Sequence, residues 1–303
     1  MNDDEFEALL FDRKTKIKQM NDELNLEENA YICFSGGKDS LILSRIVDEA
    51  LPKNHIPRVF ANTGIEYTQQ VKFVKKLAEE DTRICIMAPQ KNVGQTLDEV
   101  GYPFKSKLHS HNMNTLQNSG LTDSLKKYFF SEKNTPSTCP QILRYQATEA
   151  LPFKISDRCC TEFKKKVFTV FEKRTKRKIA ITGIRQAEHG RRESAKCVSY
   201  KRGEVRHFNP LLVCDNDFCD FFIKKFDIEL SPLYYAPFNF KRTGCRGCPF
   251  NVHLRDDLET LAMFAPSELK AAFSIFAPVY NEYRRIGYRL PKKSFALQEE
   301  LNL

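Results

Sequence analysis

The sequence predicts an α/β fold, in which a parallel sheet carries helices on both faces and a small, irregular, cysteine-bearing part follows at the C-terminal end. Short apolar runs alternate with amphipathic stretches between residues 30 and 88, a pattern typical of parallel sheets. The chain has 303 residues, 41% of them hydrophobic, which is enough to bury a substantial core. A glycine-rich turn directly follows the first apolar run, and such a turn is typical of the connection between a strand and the following helix.

The first part of the chain alternates strands and helices. Residues 1–28 are highly charged but carry apolar side chains at helical spacing, which predicts a helix lying on the following domain. The apolar run at 30–34 predicts a strand, and the periodic stretch at 39–50 predicts a helix. The alternation continues with strand 57–61, helix 67–79 and strand 83–88.

The middle of the chain is less regular. Residues 89–150 are polar and basic without a clear period, so we expect an inserted loop or a small helical subdomain. His109 and His111 in this insertion are expected to be exposed loop histidines, with a metal site as the alternative. The sheet is expected to resume with strand 178–182, a strand near 205–212 and a helix at 216–226. The sequence thus predicts a nucleotide-binding α/β domain over residues 29–230, and a cysteine-bearing segment with C-terminal helices over residues 231–303.

The glycine-rich turn has the composition of an anion-binding loop. Its residues are Ser35, Gly36, Gly37, Lys38, Asp39 and Ser40. The two glycines let the backbone approach an anion closely, and the N-terminus of the following helix directs N–H groups and a positive dipole end towards it. The loop is not a Walker A loop, because Asp39 stands where a serine or threonine would follow the lysine. We therefore predict a nucleotide phosphate site of another kind.

This loop resembles the SGGxDS loop of the PP-loop ATP pyrophosphatases, and Asn62-Thr63-Gly64, with Glu66 beyond it, resembles the turn after the second strand in their phosphoadenosine phosphosulfate reductase branch. The resemblance implies an adenine nucleotide alpha hydrolase-like fold that binds ATP with Mg²⁺, or a related adenine nucleotide. Both segments follow strands, and the carboxyl ends of parallel strands meet at one edge of a sheet. We therefore expect the two segments to form one site.

A third segment is similar to the GIRxDExxxR segment of the same family, which helps to hold the anionic substrate. Gly183, Arg185, Glu188 and Arg192 occupy the matching positions, whereas Ala187 and His189 replace an acid and a serine. Arginine suits the task because its planar guanidinium binds phosphate or sulfate at two points. A basic surface loop after a strand is the alternative.

Four of the ten cysteines have a spacing that suits a metal centre. They are Cys159, Cys160, Cys245 and Cys248. A two-residue spacer lets both sulfurs of a pair face one ion, and adjacent cysteines favour a cluster of several irons over one tetrahedral zinc. The arrangement resembles that of the iron-sulfur branch of the sulfonucleotide reductases, which implies a 4Fe-4S cluster. A zinc site or inert core thiols stay open as alternatives.

Charge and composition limit the partners. The net charge is +9, and basic residues concentrate at 164–178, which suits nucleic acid; a solvated helix face explains the same residues equally well. No apolar run approaches the roughly 20 residues of a membrane span, and the N-terminus lacks the features of a signal peptide. We expect a cytoplasmic protein without a membrane partner.

The resemblance also limits the reaction. Sulfonucleotide reductases attack sulfur with a cysteine near the C-terminus, and here no cysteine follows Cys248. The leading hypothesis is ATP-dependent adenylation and sulfur transfer to nucleic acid, in tRNA thiolation or DNA phosphorothioation. Lys38, Asp39 and Arg185 would be its catalytic residues, and a cysteine desulfurase would be a suitable sulfur donor.

Two other hypotheses stay open. In the first, the chain reduces a sulfonucleotide (APS or PAPS), and Cys139 or Cys197 takes the place of the missing nucleophile. In the second, it is a non-catalytic module that binds nucleotide or nucleic acid and carries a structural zinc.

Overall fold

The computed structural model describes residues 1–133, 135–188 and 192–290. The chain forms two compact units. The first, called the sheet unit here, comprises residues 1–62, 69–88 and 167–234. The second, called the cysteine unit, comprises residues 63–68, 89–166 and 235 onward. The predicted division of the chain after residues 28 and 230 stays a prediction.

The sheet unit contains six strands within the described residues. They are β1 (Ala30–Cys33), β2 (Arg58–Ala61), β3 (Ile84–Met87), β4 (Ile179–Ile181), β5 (Val198–Lys201) and β6 (Glu204–Phe208). Their order in the sheet is β3-β2-β1-β4-β6-β5. All neighbouring pairs are parallel except β5 and β6, which form an antiparallel hairpin at one edge. The predicted α/β class is confirmed.

Helices cover both faces of this sheet. They are α1 (Asp3–Leu24), α2 (Leu26–Asn29), α3 (Lys38–Ala50), α4 (Thr68–Glu80), α8 (Lys166–Thr175) and α9 (Asn216–Lys225). Along β1 the side chains alternate: Ile32 packs among residues of α1, α3 and α9, whereas Tyr31 packs against Phe171 of α8. Each helix buries an apolar stripe at helical spacing, and burial of those stripes stabilises the layers.

The cysteine unit is mainly helical. Its helices are α5 (Val93–Val100), α6 (Lys107–Ser119), α7 (Asp123–Phe130), α10 (Leu254–Phe264), α11 (Pro266–Ile275) and α12 (Ala277–Arg285). The insertion predicted at 89–150 is thus built from three helices and a 3₁₀ turn, not from an extended loop. The predicted C-terminal helices are present up to Arg285, and residues 291–303 lie outside the described residues. No helix in the described part of the chain is long and apolar enough to span a bilayer.

The structure corrects the prediction for His109. This residue lies on α6 and is fully buried, and only His111 is exposed, with 62% of its side chain accessible. The Nδ1 atom of His109 is 3.0 Å from the Tyr128 hydroxyl, and its Nε2 atom is 2.8 Å from Oε1 of Gln146. The spacing of the two histidines did not predict the burial of His109. On a helix, residues two positions apart point to different sides, so one can be buried while the other is exposed.

The buried imidazole makes stability depend on pH. Burial lowers the pKa of His109 from 6.5 to about 3. The folded chain therefore keeps the ring neutral, while the unfolded chain takes up a proton below pH 6.5, so this contribution is present above pH 6.5 and is lost as the pH falls. We expect the free energy of unfolding to decrease by up to about 1.4 kcal/mol per pH unit below that point.

Denaturant unfolding between neutral and mildly acidic pH measures this effect. His109→Gln, which retains hydrogen-bonding groups but cannot titrate, is expected to show a shallower pH dependence than the unsubstituted chain. His111→Gln is the matched control and is expected to keep the full dependence. If the free energy of unfolding depends on pH equally in the unsubstituted chain and in His109→Gln, a group other than His109 causes the pH dependence.

Candidate nucleotide and cysteine sites

The glycine-rich loop connects β1 to α3 at the carboxyl end of the strand. Gly36 has φ +68°, a left-handed conformation that glycine adopts without strain. Gly37 is the N-cap of α3 and supplies no side-chain cap, so no side chain of the cap residue competes with a ligand for the amides of the first turn. The Ser40 hydroxyl closes the loop by donating to the Gly37 carbonyl at 2.9 Å and accepting from the Ser35 amide at 3.2 Å. This is the geometry of an anion-binding loop.

A tyrosine hydroxyl stands at this helix N-terminus. The Lys38 amide donates to the Tyr234 hydroxyl at 3.2 Å. The Lys38 ammonium group lies 4.0 Å from Asp220, whose side chain is 72% exposed, so this ion pair is weak. An anion can therefore recruit the lysine at little cost. No pattern in the sequence predicted that Tyr234 would contact this loop.

Arg185 is bonded to Asp39 at the start of α3. Its Nε atom donates to Oδ1 of Asp39 at 2.9 Å, and its two terminal nitrogens donate to the Cys214 carbonyl and to Oδ1 of Asn216. Arg185 is only 2% exposed. Its guanidinium is thus occupied by protein acceptors, and its immediate role is to position Asp39, which differs from the direct phosphate contact expected from the sequence.

Gly183 explains how the third segment approaches the loop so closely. A Cβ atom at this position would stand 2.9 Å from the Asp39 carbonyl oxygen, which is backbone and cannot rotate away. Farther along, Glu188 forms an ion pair with Arg192, whose side chain is 42% exposed. His189 lies outside the described residues, as do its neighbours 190 and 191.

The Asn-Thr-Gly segment divides between the two units. Asn62 belongs to the sheet unit, where its amide donates to the Met87 carbonyl. Thr63, Gly64 and Glu66 belong to the cysteine unit. The Glu66 carboxylate is buried and accepts from the Thr63 amide and hydroxyl, each at 2.8 Å. Because the Glu66 oxygens already accept hydrogen bonds from Thr63, Glu66 is a poorer metal ligand than Asp39.

The Cys245-Cys248 turn lies beside that segment. Glu66 and Cys245 form an antiparallel bridge, and the Arg246 amide donates to the Ile65 carbonyl at 2.7 Å. The turn closes through the Cys248 amide, which donates to the Cys245 carbonyl at 3.2 Å. Gly247 has φ +57°, and a Cβ there would stand 2.5 Å from Cβ of Ala272. Only glycine fits this position without displacing α11.

The four predicted ligands lie within electrostatic range of one another. Cys159 is buried and the other three are half-buried, and all four are free thiols. The hydrogen bond with Cys160 and burial raise the pKa of Cys159, and the charges of Cys248 and Cys245 act in the same direction. Burial raises the pKa of Cys248 to about 12, with Cys245 acting in the same direction. The fold thus brings sequence-distant cysteines into one neighbourhood.

The geometry is not that of an assembled metal site. Within the described residues, no group of three or more histidine, cysteine, aspartate or glutamate side chains is arranged to hold a metal ion. The donor set fits a thiolate-ligated centre in type, and binding of a metal would require these side chains to move closer together.

The environment favours a thiolate at Cys160, whereas burial raises the pKa values of Cys245 and Cys248. The hydrogen bond from Cys159 lowers the pKa of Cys160 to about 6, and nearby lysines act in the same direction. The charge of Cys245 raises the pKa of Lys164, whose ammonium group also lies 3.9 Å from the Glu66 carboxylate. Lys164 would therefore stay charged beside the thiolates.

The two cysteines considered as substitute nucleophiles lack the features of a reactive thiol. Cys139 is 1% exposed, and burial raises its pKa to about 11. Burial also raises the pKa of Cys197. Reactive cysteines have lowered pKa values and solvent access. These properties weigh against sulfonucleotide reduction by either residue.

Comparison with known proteins adds a family match. The profile of the Phosphoadenosine phosphosulfate reductase domain matches residues 29–251. An uncharacterized protein of Methanocaldococcus jannaschii is 30% identical over 95 residues, which are 31% of this chain and 22% of that protein.

Solved structures with a similar arrangement have low sequence identity. The phosphoadenylyl-sulfate (PAPS) reductase of Candida auris, a phosphate complex, aligns with a TM-score of 0.45 and 14% identity over 81% of this chain and 96% of that one. The FMN adenylyltransferase of Candida glabrata in complex with ATP gives a TM-score of 0.46 and 12% identity, over 81% and 64%. The NH3-dependent NAD synthetase of Campylobacter jejuni gives 0.41 and 11%, over 97% and 100%.

Proposed function

Because the chain belongs to the phosphoadenosine phosphosulfate reductase domain family, we propose that it binds ATP at the loop Ser35–Ser40, adenylates an oxygen of a nucleic acid and supports its replacement by sulfur. The acceptor would be tRNA or DNA. The observation that carries the nucleotide part is the N-terminus of α3, which begins at a glycine N-cap without a capping side chain, behind a left-handed Gly36. The raised pKa values of Cys139 and Cys197 favour ATP over a sulfonucleotide as substrate, because neither thiol has the properties of a sulfur-attacking nucleophile.

The loop residues would act on the leaving group. The acceptor oxygen attacks the α-phosphorus, the bond between the α- and β-phosphates breaks, and pyrophosphate leaves with the bond's electron pair. The amides of the first turn of α3 and the Lys38 ammonium group would stabilise that charge. Asp39 is the carboxylate that would hold Mg²⁺, an ion that neutralises phosphate charge when bound. The orientation of the Asp39 carboxylate is fixed by Arg185, whose Nε atom donates to Oδ1 of Asp39 at 2.9 Å.

The second half of the reaction needs sulfur. A sulfur nucleophile from a donor such as a cysteine desulfurase would displace AMP from the adenylated oxygen, so that AMP leaves with that oxygen. The four cysteines would hold a 4Fe-4S cluster, which would supply a place to bind and pass on sulfur. Zinc would fit the same thiols, but it would not supply this sulfur-transfer chemistry. Lys164 would balance the charge of the thiolates.

Pyrophosphate release tests the reaction. We expect the purified chain to release pyrophosphate from ATP, slowly with AMP as the other product when water replaces the acceptor, and faster with formation of the adenylated nucleic acid when tRNA or DNA is added. Lys38→Ala is expected to lower that rate about 100-fold, because removal of one preorganised donor to a developing charge costs that much in other enzymes. Formation of ADP and phosphate, or an unchanged rate in Lys38→Ala, would contradict the proposal.

Anaerobic purification tests the cluster. We expect iron and acid-labile sulfide in the unsubstituted chain and the loss of most of both in Cys245→Ser, because serine is a poor ligand for iron in a thiolate site. Cys85→Ser is the matched control, since Cys85 is a half-buried thiol in the sheet unit. Equal iron content in both variants, or zinc in place of iron, would show the cluster assignment to be wrong.

A further inference from the structure

A groove runs along the edge of the sheet unit, remote from the loop Ser35–Ser40. It has a volume of about 1390 Å³ and is lined by the end of α1, by α8 and by the β5–β6 hairpin. Asn29 and Ile179, at the starts of β1 and β4, form part of its floor. The nucleotide loop follows the other end of β1. The groove and the loop thus lie at opposite ends of the same sheet.

The hairpin presents an aromatic ring and two cations at its tip. Lys201 pairs with Glu204 in the ladder, and Arg202 and Gly203 between them have φ +54° and +83°. Two left-handed residues make the tight turn whose twist matches the strands. Tyr200, beside this turn, lines the groove and is 67% exposed. An exposed tyrosine ring offers a planar apolar face on which a base can stack while its hydroxyl stays in water.

Basic residues surround this ring without carboxylate partners. The exposed side chains of Lys173, Lys176, Lys201 and Arg202 form no ion pair with a described residue. Two other basic residues of the groove are already neutralised: Arg206 lies 3.1 Å from Glu172, and Lys178 lies 3.9 Å from Glu204.

Four acidic residues line the groove, and Glu172 and Glu204 are the two that pair with Arg206 and Lys178. The other two, Asp22 and Glu23, line the groove from the end of α1 together with Lys16, and Arg174 is a further exposed cation on α8 outside the groove lining. The unpaired positive charge is therefore concentrated on the hairpin and α8. A surface in which cations flank an exposed aromatic ring suits the phosphates and bases of a nucleic acid.

We propose that this groove, with Tyr200, Lys201 and Arg202 at its rim, is a docking surface for the nucleic acid acceptor. The inference rests on the proposed function, and it adds where the acceptor binds. Lys201 and Arg202 contact backbone phosphates, and Tyr200 stacks on an unpaired base at a loop or end.

The position of the groove sets a minimum length for the acceptor. Six residues of extended chain separate Asn29 from Ser35, which corresponds to roughly 20 Å at 3.3 Å per residue. A duplex bound at both places must cover that distance, which takes about six base pairs at 3.4 Å each. Shorter oligonucleotides are expected to bind without stimulating pyrophosphate release.

Binding of fluorescently labelled tRNA and of a short labelled DNA duplex, followed by anisotropy over a range of salt concentrations, tests the proposal. We expect Lys201→Glu with Arg202→Glu to bind about tenfold more weakly and to lower the salt slope by roughly 2, because two phosphate contacts are lost. Tyr200→Ala is expected to weaken single-stranded ligands about tenfold. The control, Lys72→Glu with Lys75→Glu on exposed positions of α4 near the opposite edge, is expected to change affinity less than about twofold.

The outcomes separate this inference from the proposed function. Nucleic acid binding that is equally strong in the hairpin variant and the control would overturn the groove assignment alone. No binding by the unsubstituted chain, or binding to anionic lipid vesicles instead, would overturn both the groove and the nucleic acid acceptor. ATP cleavage without nucleic acid is expected to be unchanged in the hairpin variant, which shows that the sheet unit is folded.

Discussion

Replacement of Gly36 by alanine is expected to reduce nucleotide affinity about 30-fold or more. The left-handed φ of +68° costs an L-residue about 1 kcal/mol. The added Cβ would also stand 2.5 Å from both Nε2 of Gln70 and Cγ2 of Val74. Val74 is fully buried, and Gln70 donates to the Ser35 carbonyl at 2.8 Å, so neither can move without disturbing the loop. Overpacking adds roughly 1–3 kcal/mol, and 2 kcal/mol corresponds to about 30-fold.

Gly120→Ala separates the two causes. Gly120 has a similar φ of +75°, but a Cβ there meets nothing within 4 Å. We expect it to cost about 1 kcal/mol of stability and no nucleotide affinity. Titration calorimetry with an ATP analogue, together with thermal unfolding of each variant, gives both quantities. Equal nucleotide affinity in Gly36→Ala and Gly120→Ala would show that the loop does not hold the nucleotide.

Loss of Arg185 is expected to have the second large effect. Arg185→Ala would leave the Cys214 carbonyl and the Asn216 side chain without a buried donor and would release Asp39 from its orientation. We expect the rate of pyrophosphate release to fall about 100-fold and stability to fall by about 2 kcal/mol. Asp39 keeps 26% of its side chain exposed, so the loss of stability is smaller than for a fully buried ion pair.

Arg185→Lys and Arg45→Ala complete this test. In Arg185→Lys the charge is kept, but the ammonium group offers a single point of contact. We therefore expect a rate of pyrophosphate release between those of Arg185→Ala and the unsubstituted chain. Arg45 pairs with Glu49 on the exposed side of α3, and its loss is expected to change stability by less than about 0.5 kcal/mol. A rate in Arg185→Ala equal to that in Arg45→Ala would show that the orientation of Asp39 is irrelevant to the reaction.

Local patterns predicted the sheet well. The strands at 30–34, 57–61, 83–88 and 178–182 correspond to β1 to β4 with bounds that agree within one residue. The signal was strong because each strand is a short, mainly apolar run, and β1 and β2 are each followed by a periodic helix. Strand β5 was missed because Val198–Lys201 is an exposed edge, where the apolar contrast that marks a buried strand is weak.

Contacts between distant residues could not be predicted in the same way. The sequence identified Asp39 and Arg185 separately, but not that Gly183 brings them together or that Arg185 would be fully engaged by protein acceptors. The buried setting of His109 depends on Tyr128 and Gln146, which lie on later segments of the insertion. Such contacts follow from tertiary packing, which no local period encodes.

The central claim is that the loop Ser35–Ser40 binds the phosphates of an adenine nucleotide. A crystal structure with an ATP analogue that carries a methylene group between the α- and β-phosphates tests it most directly. We predict phosphate oxygens within hydrogen-bonding distance of the amides at the start of α3, with the Tyr234 hydroxyl displaced from the Lys38 amide. Phosphates bound elsewhere, with the Lys38 amide still donating to Tyr234, would contradict the account.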